Sequence, residues 1–354
     1  MIVRECGVLH TTYASDMAVY RLPFSRCALA ALWAVLFLGL PLLASEYILS
    51  VINLIAIASV GALGLNLLVG FAGQISLGQG GFMAVGAYTA ALAAVRLGFP
   101  FWLAIPCAGA VTALVGCLFG VPSLRVKGLY LAIATLAAQF IIEWNLLHSG
   151  WLTGQGAQGA LILPQASLFG FVFNTEHRAY YLLMTFALLA TVAARNIARS
   201  RLGRALVAIR DHDIAAAIMG VHTYRYKLIA FAVSSAYAGV TGALWAYYTQ
   251  VVSYEHFTIS TSIDYLAMII IGGLGSVPGP ILGATFITVL PPGLRDLLEG
   301  LKRLGLPGAV GNFSYSREIL FGLIIVLFLV FEPEGLSKMW RRMKDYFRLW
   351  PFSY

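Results

Sequence analysis

The chain has 354 residues, of which 60% are hydrophobic and 11% are charged. Soluble domains carry about 25% charged residues, so this composition excludes a soluble globular protein and predicts an all-α polytopic membrane protein. The formal net charge of +8 does not indicate nucleic acid binding, because the basic residues lie in short loops between apolar runs rather than on one folded polar face.

Apolar windows predict about ten transmembrane helices. Residues 1–26 are expected to form a cytoplasmic N-terminal tail, residues 27–336 a transmembrane domain, and residues 337–354 a basic cytoplasmic C-terminal tail. The predicted spans lie near residues 27–44, 47–69, 78–95, 101–120, 128–147, 179–194, 228–250, 264–276, 280–292 and 317–331. The eighth and ninth are short enough to form a re-entrant pair instead of two full crossings.

The distribution of basic residues predicts the orientation of these spans. If the N-terminus is cytoplasmic, 17 of the 23 Lys and Arg residues fall on the cytoplasmic side. This agrees with the positive-inside rule, and it predicts an even number of spans with both termini in the cytoplasm.

A glycine-rich stretch from Gly64 to Tyr88 is apolar enough to lie in lipid but carries several amide and hydroxyl side chains. Broken backbone survives in a bilayer only where protein or a water-filled cavity surrounds it. The stretch therefore predicts the wall of a substrate pathway, formed by Asn66, Gly70, Gly73, Gln74, Ser76, Gly78, Gln79 and Gly81. Close helix packing is the alternative; it explains the glycines but not the polar side chains.

Charged residues are rare within the predicted spans, and Glu143 is identified as the one candidate. Proton- or sodium-coupled carriers place carboxylates or basic groups near the bilayer midplane, so their scarcity argues against such a carrier. Glu143 is either an interfacial group or part of the pathway.

The polar segments at residues 151–159 and 253–257 either receive a delivered substrate or simply connect spans. The cysteine and histidine residues have no metal-ligand spacing, so no metal site is predicted.

The longest predicted cytoplasmic loop, residues 195–227, is long enough for one or two short helices. Arg201, Arg204 and Arg210 are expected to be exposed. The apolar side of these helices is expected to consist of Ala205, Leu206, Ile209, Ile214, Ala217 and Ile218. The Ala-rich run that ends at Gly220 suits docking into a groove of another protein, whereas a loop that only fixes topology needs little beyond positive charge. The residues predicted to couple to such a partner are Arg201, Arg204, Arg210, Asp213, Ala215, Ala216 and Gly220.

A second glycine-rich break lies at residues 270–283 and contains Gly272, Gly273, Gly275, Ser276 and Gly279. It follows the eighth span, whereas the first break follows the second span, so the two positions do not predict an internal repeat.

The sequence lacks the P-loop motif for ATP phosphates and the common hydrolase motifs, so the chain is not expected to be an enzyme.

Four segments, at residues 64–94, 123–136, 199–231 and 269–284, resemble the LivM-type permeases of the branched-chain amino acid ABC transporters. The resemblance runs in order from about residue 50 to 336. It implies a multi-pass permease subunit of a bacterial inner membrane, paired with a second, LivH-type permease. It also implies two P-loop ATPase subunits that use ATP and Mg²⁺, a periplasmic substrate-binding protein, and no cofactor bound by this chain. Residues 195–227 would be the coupling loop, with Ala215, Ala216 and Gly220 retained from the Glu-Ala-Ala-x-x-x-Gly motif.

Two departures from the family pattern leave the cargo open. Residues 139–143 read QFIIE where the family often has Gly-Glu-Ile-x-Arg, and the following loop reads TGQGAQG. The expected cargo is a branched-chain or related amino acid, and urea or a short-chain amide is the alternative. A stand-alone secondary carrier or channel is the rival from another functional class. Under the importer interpretation, ATP-driven movement of the coupling loop rocks the spans and alternates access to the pathway.

Overall fold

A computed structural model describes residues 37, 39–123, 128–149, 161–168, 171–172, 175–303, 322–323, 325–328, 330–332 and 335–349. The predicted N-terminal tail, most of the first span, the segment at residues 151–159 and much of the last span lie outside these residues. The helices are α1 Leu40–Leu43, α2 Glu46–Asn66, α3 Gln79–Arg96, α4 Phe101–Ser123, α5 Leu129–His148, α6 Glu176–Arg199, α7 Arg201–Asp211, α8 Asp213–Ile218, α9 Thr223–Thr249, α10 Ile259–Gly272, α11 Pro278–Arg303 and α12 Leu336–Leu349.

Among the residues that the structure describes, five helices are long and apolar enough to cross a membrane. They cover Glu46–Phe71, Phe101–Pro122, Tyr130–His148, Glu176–Arg199 and Thr223–Thr249, and Ile259–Gly272 is a shorter apolar helix. The predicted class, an all-α polytopic membrane protein, is confirmed. The count of about ten spans and the orientation stay predictions.

Several predicted span ends were wrong. Helix α6 continues to Arg199, five residues past its predicted end, and α10 begins at Ile259 and stops at Gly272 instead of covering residues 264–276. Gly273 ends α10 because its φ of 106° cannot continue a right-handed helix. With 14 residues α10 is about 21 Å long, shorter than the ~30 Å hydrocarbon core.

Two pairs of short antiparallel strands accompany the helices in the described ranges. Strand β1 (Leu161–Ile162) pairs with β4 (Val251–Val252), with Leu161 opposite Val252, and β2 (Ser167–Leu168) pairs with β3 (Phe171–Val172). The predicted C-terminal tail is largely helical, as α12. A side chain at Gly335, just before α12, would meet the backbone of Gly273, so α12 begins against the second glycine-rich break.

Helix α9 lies at the centre of the bundle and packs most extensively on α4 and α3. Small residues allow this close approach. A Cβ at Gly86 would meet the backbone of Gly239, and one at Gly242 would meet the backbone of Met83. Packing of small residues drives helix association in membranes, where lipid is as apolar as the side chains.

The bundle has two distinct ends. At the first end, which we call the loop end, lie α7 and α8 together with the ends of α2 and α10. Helix α2 continues there as a π-helical turn, Leu67–Phe71, and the chain then turns at Gly73, where φ is 67°. The opposite end, which we call the far end, holds the beginnings of α2 and α10 and the end of α9. Ser50 and Gly70 are about 30 Å apart along α2.

Candidate functional site

Asn66, at the end of α2, connects the two glycine-rich breaks. Its buried side chain donates a hydrogen bond from Nδ2 to the carbonyl oxygen of Ser276, at 2.8 Å, and accepts one at Oδ1 from the amide of Gly275, at 3.0 Å. Gly70 lies so close to Gly275 that a Cβ at Gly70 would meet the Gly275 nitrogen. Residues that are 209 and 210 positions apart in sequence thus form one structure, which we call the glycine joint (Asn66, Gly70, Gly275 and Ser276).

Arg210, at the end of α7, reaches the glycine joint. Its Nη1 donates to the carbonyl oxygen of Gly70 at 2.8 Å, and its Nε donates to Asp211 Oδ1 at 3.1 Å. A Cβ at Gly73 would lie 2.9 Å from Arg210 Cγ, so Gly73 must lack a side chain for this approach. A residue predicted for coupling therefore contacts glycines predicted for the pathway.

The hydroxyl group of Ser276 stabilises the second glycine-rich break. Ser276 Oγ donates to the carbonyl oxygen of Gly273 at 3.0 Å and accepts from the amide of Gly279 at 3.2 Å. A side chain at Gly272 would meet the carbonyl of Gly279, so the end of α10 and the start of α11 touch through backbone. The predicted residues of this break lie together beside Asn66.

Helix α3 begins inside the bundle, where its first amide groups need partners. The Gly80 amide donates to Ser262 Oγ at 2.7 Å, and the Gly81 amide donates to Gln139 Oε1 at 3.2 Å. Ser262 Oγ in turn donates to Gln139 Oε1 at 2.7 Å, and Gln139 Nε2 donates to the Phe257 carbonyl at 3.1 Å. Ser262 was not among the predicted site residues, and Gln139 was noted only as a departure from the family pattern.

Most of the polar side chains predicted for the pathway are buried against protein. Gln79 Nε2 donates to the Gly61 carbonyl at 3.3 Å, and Ser76 Oγ accepts from the Gly78 amide at 3.4 Å. Gln74 differs, because its buried Oε1 has no hydrogen-bond partner among the described residues. Gln74 and Gly73 line a cavity of about 260 Å³ together with Arg210, Asp213 and Lys227. The pathway role of these residues stays a prediction.

The apolar residues of the coupling loop differ in exposure between its two helices. Leu206 and Ile209 of α7 are buried, whereas Ile214 is 70% exposed and Ile218 is 80% exposed. Ala216 is the buried residue of α8, so the larger apolar side chains of this helix point outward. Helix α8 ends before Gly220, whose φ is 86°.

The remaining coupling residues lie around these two helices. Arg201, Arg204 and Ala215 are exposed. Arg204 Nη1 donates to the Arg199 carbonyl at 3.0 Å, so its hydrogen bond stays within the loop, whereas Asp213 Oδ2 lies 3.8 Å from Lys227 Nζ at the start of α9.

A cavity of about 600 Å³ opens between α2, α10 and α11 toward the far end. Thr261, Asp264, Tyr265 and Met268 face it from α10, at the spacing of one helical face. Asp264 was missed because Glu143 was taken as the one charged candidate in a span; Glu143 instead lies in a surface groove beside exposed aromatic residues. The i, i+3, i+4, i+7 spacing of Thr261, Asp264, Tyr265 and Met268 was the feature of the sequence that could have identified Asp264. None of the predicted pathway residues lines this cavity.

A second polar cluster lies near this end of the bundle. Asn53 Nδ2 donates to Glu176 Oε2 at 2.9 Å, and the Tyr248 hydroxyl donates to the same oxygen at 3.0 Å. These bonds tie α2 and α9 to the start of α6. Within the described ranges, no group of three or more His, Cys, Asp or Glu side chains is placed to hold a metal ion.

Residues 47–329 match the family described as branched-chain amino acid transport system / permease component. The high-affinity branched-chain amino acid transport system permease protein LivM of Salmonella typhimurium is 34% identical over 85% of this chain and 72% of its own length. LivM of Escherichia coli is also 34% identical, over 87% of this chain and 74% of its own length. The probable permease protein LivH of Methanocaldococcus jannaschii is 26% identical over 80% of this chain and 89% of its own length.

No solved structure matches the chain significantly. The match of the family to most of the chain, and the extent of the similarity to LivM, establish the assignment. The chain belongs to the permease component family of branched-chain amino acid transport systems.

Proposed function

We propose that the chain is a transmembrane permease subunit of an ATP-binding-cassette importer that carries branched-chain or related amino acids from the periplasm to the cytoplasm. The loop end then faces the cytoplasm, in agreement with the positive-inside distribution. Relatives named LivM and LivH both resemble this chain, which supports pairing with a second, LivH-type permease in a bacterial inner membrane.

The contact between Arg210 and Gly70 carries this proposal. A guanidinium on the cytoplasmic loop donates to a carbonyl within the broken end of a spanning helix, at 2.8 Å. Asn66 connects the same place to the end of α10. Movement of α7 therefore pulls on α2 and α10 at once. Helices that end at a non-helical joint can rock as units around it, which is what alternating access requires.

The exposed side of α8 is suited to receive the force from a partner. Ile214, Ile218 and Met219 project from the loop end, and Met219 is 84% exposed. An apolar helix side on a surface that faces water fits a groove on another protein. We assign this surface to a P-loop ATPase subunit, one of two in the complex, because the chain has no P-loop of its own. ATP and Mg²⁺ act in those subunits.

The test uses the complex that co-purifies with the tagged chain, reconstituted in liposomes with its binding protein outside. In the variant Arg210→Ala we expect ATP-driven uptake of L-leucine to fall by roughly ten- to a hundredfold, the range for a lost hydrogen bond to a charged group. ATP hydrolysis and recovery of the second permease should persist. Arg225→Ala is the matched control, because Arg225 is an exposed arginine of the same loop that is not among the predicted coupling residues.

Three results would contradict the proposal. Uptake that proceeds without ATPase subunits would favour a stand-alone carrier or channel. Normal uptake in Arg210→Ala would remove the coupling role of the joint. Uptake of urea or a short amide instead of L-leucine would keep the importer class and replace the cargo.

A further inference from the structure

We propose that the 600 Å³ cavity at the far end is a binding site for an aliphatic amino acid, with the carboxylate of Asp264 as the partner of its ammonium group. The inference rests on the proposed function, because it identifies where this subunit would hold the cargo. Apart from Met83, the cavity residues lie outside the glycine-rich stretch that is predicted to line the pathway.

The cavity has the size and the walls that such a ligand needs. Small-molecule sites generally occupy about 300–1,000 Å³ and are mostly apolar, with a few polar groups that fix orientation. Aliphatic and thioether side chains from four helices form much of the wall, among them Leu54, Ile57, Met83, Met268 and Ile287. These residues provide a surface for a branched aliphatic side chain.

Asp264 supplies a carboxylate that has no hydrogen-bond donor and no ion-pair partner among the described residues. It lies in the second turn of α10 and is partly buried. A charged side chain within a membrane-spanning region is energetically costly. Such residues generally face the bundle interior or a cavity, where they pair with a ligand or another charge. An ammonium group in the cavity would provide that pair.

Hydrogen-bond donors line the same cavity. The indole Nε1 of Trp245 is buried and has no acceptor among the described residues, although the side chain lines the cavity. The ring of His256 also lines the cavity and lies 6.1 Å from the Trp245 ring. These groups can receive the carboxylate of a zwitterion while Asp264 holds its ammonium.

This chemistry separates the two kinds of cargo that the sequence left open. Urea has neither a charged group for Asp264 nor an aliphatic part for the apolar wall. An aliphatic amino acid uses the carboxylate, the donors and the wall together. The cavity therefore favours leucine-like ligands over urea and short amides.

A direct binding experiment tests the site without requiring transport. The co-purified complex in nanodiscs, without nucleotide and without binding protein, is titrated with radiolabelled L-leucine. The competitors are isoamylamine, which keeps the ammonium and the branched chain, and urea. We expect isoamylamine to displace leucine and urea to have no effect. Asp264→Asn should weaken leucine binding roughly ten- to a hundredfold and abolish competition by isoamylamine.

Two further variants control for structural damage. Glu143→Gln removes a carboxylate from another spanning helix, outside the cavity, and should bind leucine as the wild type does. Asp264→Glu keeps the charge and should retain competition by isoamylamine. Both variants should co-purify with the second permease at wild-type yield.

The outcomes decide the site separately from the importer function. Absence of leucine binding to the wild type, or unchanged binding to Asp264→Asn, overturns the site even if ATP-driven uptake proceeds. Loss of the second permease from Asp264→Asn and Asp264→Glu would also overturn it, because Asp264 would then belong to a subunit interface. Leucine binding that depends on Asp264, in a complex without ATP-driven uptake, would support the site and contradict the proposed function.

Discussion

The two ends of the helical bundle differ in how many of their buried polar atoms lack a hydrogen-bond partner among the described residues. At the loop end, backbone groups of the broken helices form hydrogen bonds with the side chains of Asn66, Ser276 and Arg210. At the far end, Trp245 Nε1, Tyr247 Oη and Asn53 Oδ1 are buried without partners among the described residues. Gln74 Oε1 is the exception at the loop end, and it faces the smaller cavity.

This difference follows from what each end must do. Helix breaks in a membrane leave amide and carbonyl groups that cost several kcal/mol each if no partner is present, so side chains must pair with them. A binding cavity needs the reverse, because groups already paired within the protein have nothing to offer a ligand. We therefore expect removal of a polar side chain to lower the free energy of unfolding at the loop end and to weaken ligand binding at the far end.

The largest expected effect on stability comes from Asn66→Ala. It leaves the Gly275 amide and the Ser276 carbonyl without their partner, at a cost of about 1–3 kcal/mol for each buried group. Thermal unfolding of the complex in nanodiscs measures the change. Ser50→Ala at the far end is the control, because Ser50 bonds only within its own helix. Equal melting temperatures for the two variants would break the contrast between the ends.

A smaller effect is expected from Gln139→Leu, between the two ends. The variant deprives the Gly81 amide of its acceptor and should destabilise the complex by about 1–3 kcal/mol. Since Gln139 and Ser262 bond to each other, the loss in Gln139→Leu combined with Ser262→Ala should be less than the sum of the two single losses. Additive melting shifts would mean that the two side chains act independently. Thr89→Val, which removes a hydroxyl bonded within α3, serves as the control.

The smallest stability effect is expected from Gly220→Ala. Its φ of 86° costs a side chain about 1–2 kcal/mol, although no atom lies within 4 Å of the new Cβ. Gly98→Ala at the far end is a matched control, with a φ of 65° and equally open space. The two variants should melt alike, but only Gly220→Ala should lower the ratio of leucine uptake to ATP hydrolysis. Equal uptake ratios would argue against a coupling role for the turn after α8.

The sequence predicted the breaks better than it predicted their partners. Gly73 and Gly273 do occupy positive φ, where glycine is strongly preferred, and that preference is local. The contact of Asn66 with Ser276 spans 210 positions and depends on how α2, α10 and α11 pack, which periodicity cannot reveal. The sequence predicted apolar residues on the coupling loop but not which of them are covered. Leu206 and Ile209 are buried, whereas Ile214 and Ile218 are exposed, because the chain turns at His212 between α7 and α8.

Sequence alone determined the class of protein, the places where its helices break and its family, because hydropathy, glycine content and motif order are properties of short segments. Tertiary structure decided which polar groups are paired and which remain open. Asp264 is an ordinary carboxylate in the sequence, and only the packing of α2, α10 and α11 places it on a cavity. The reason is physical: the free energy of a buried polar group depends on neighbours from other helices, and those neighbours are set by the fold.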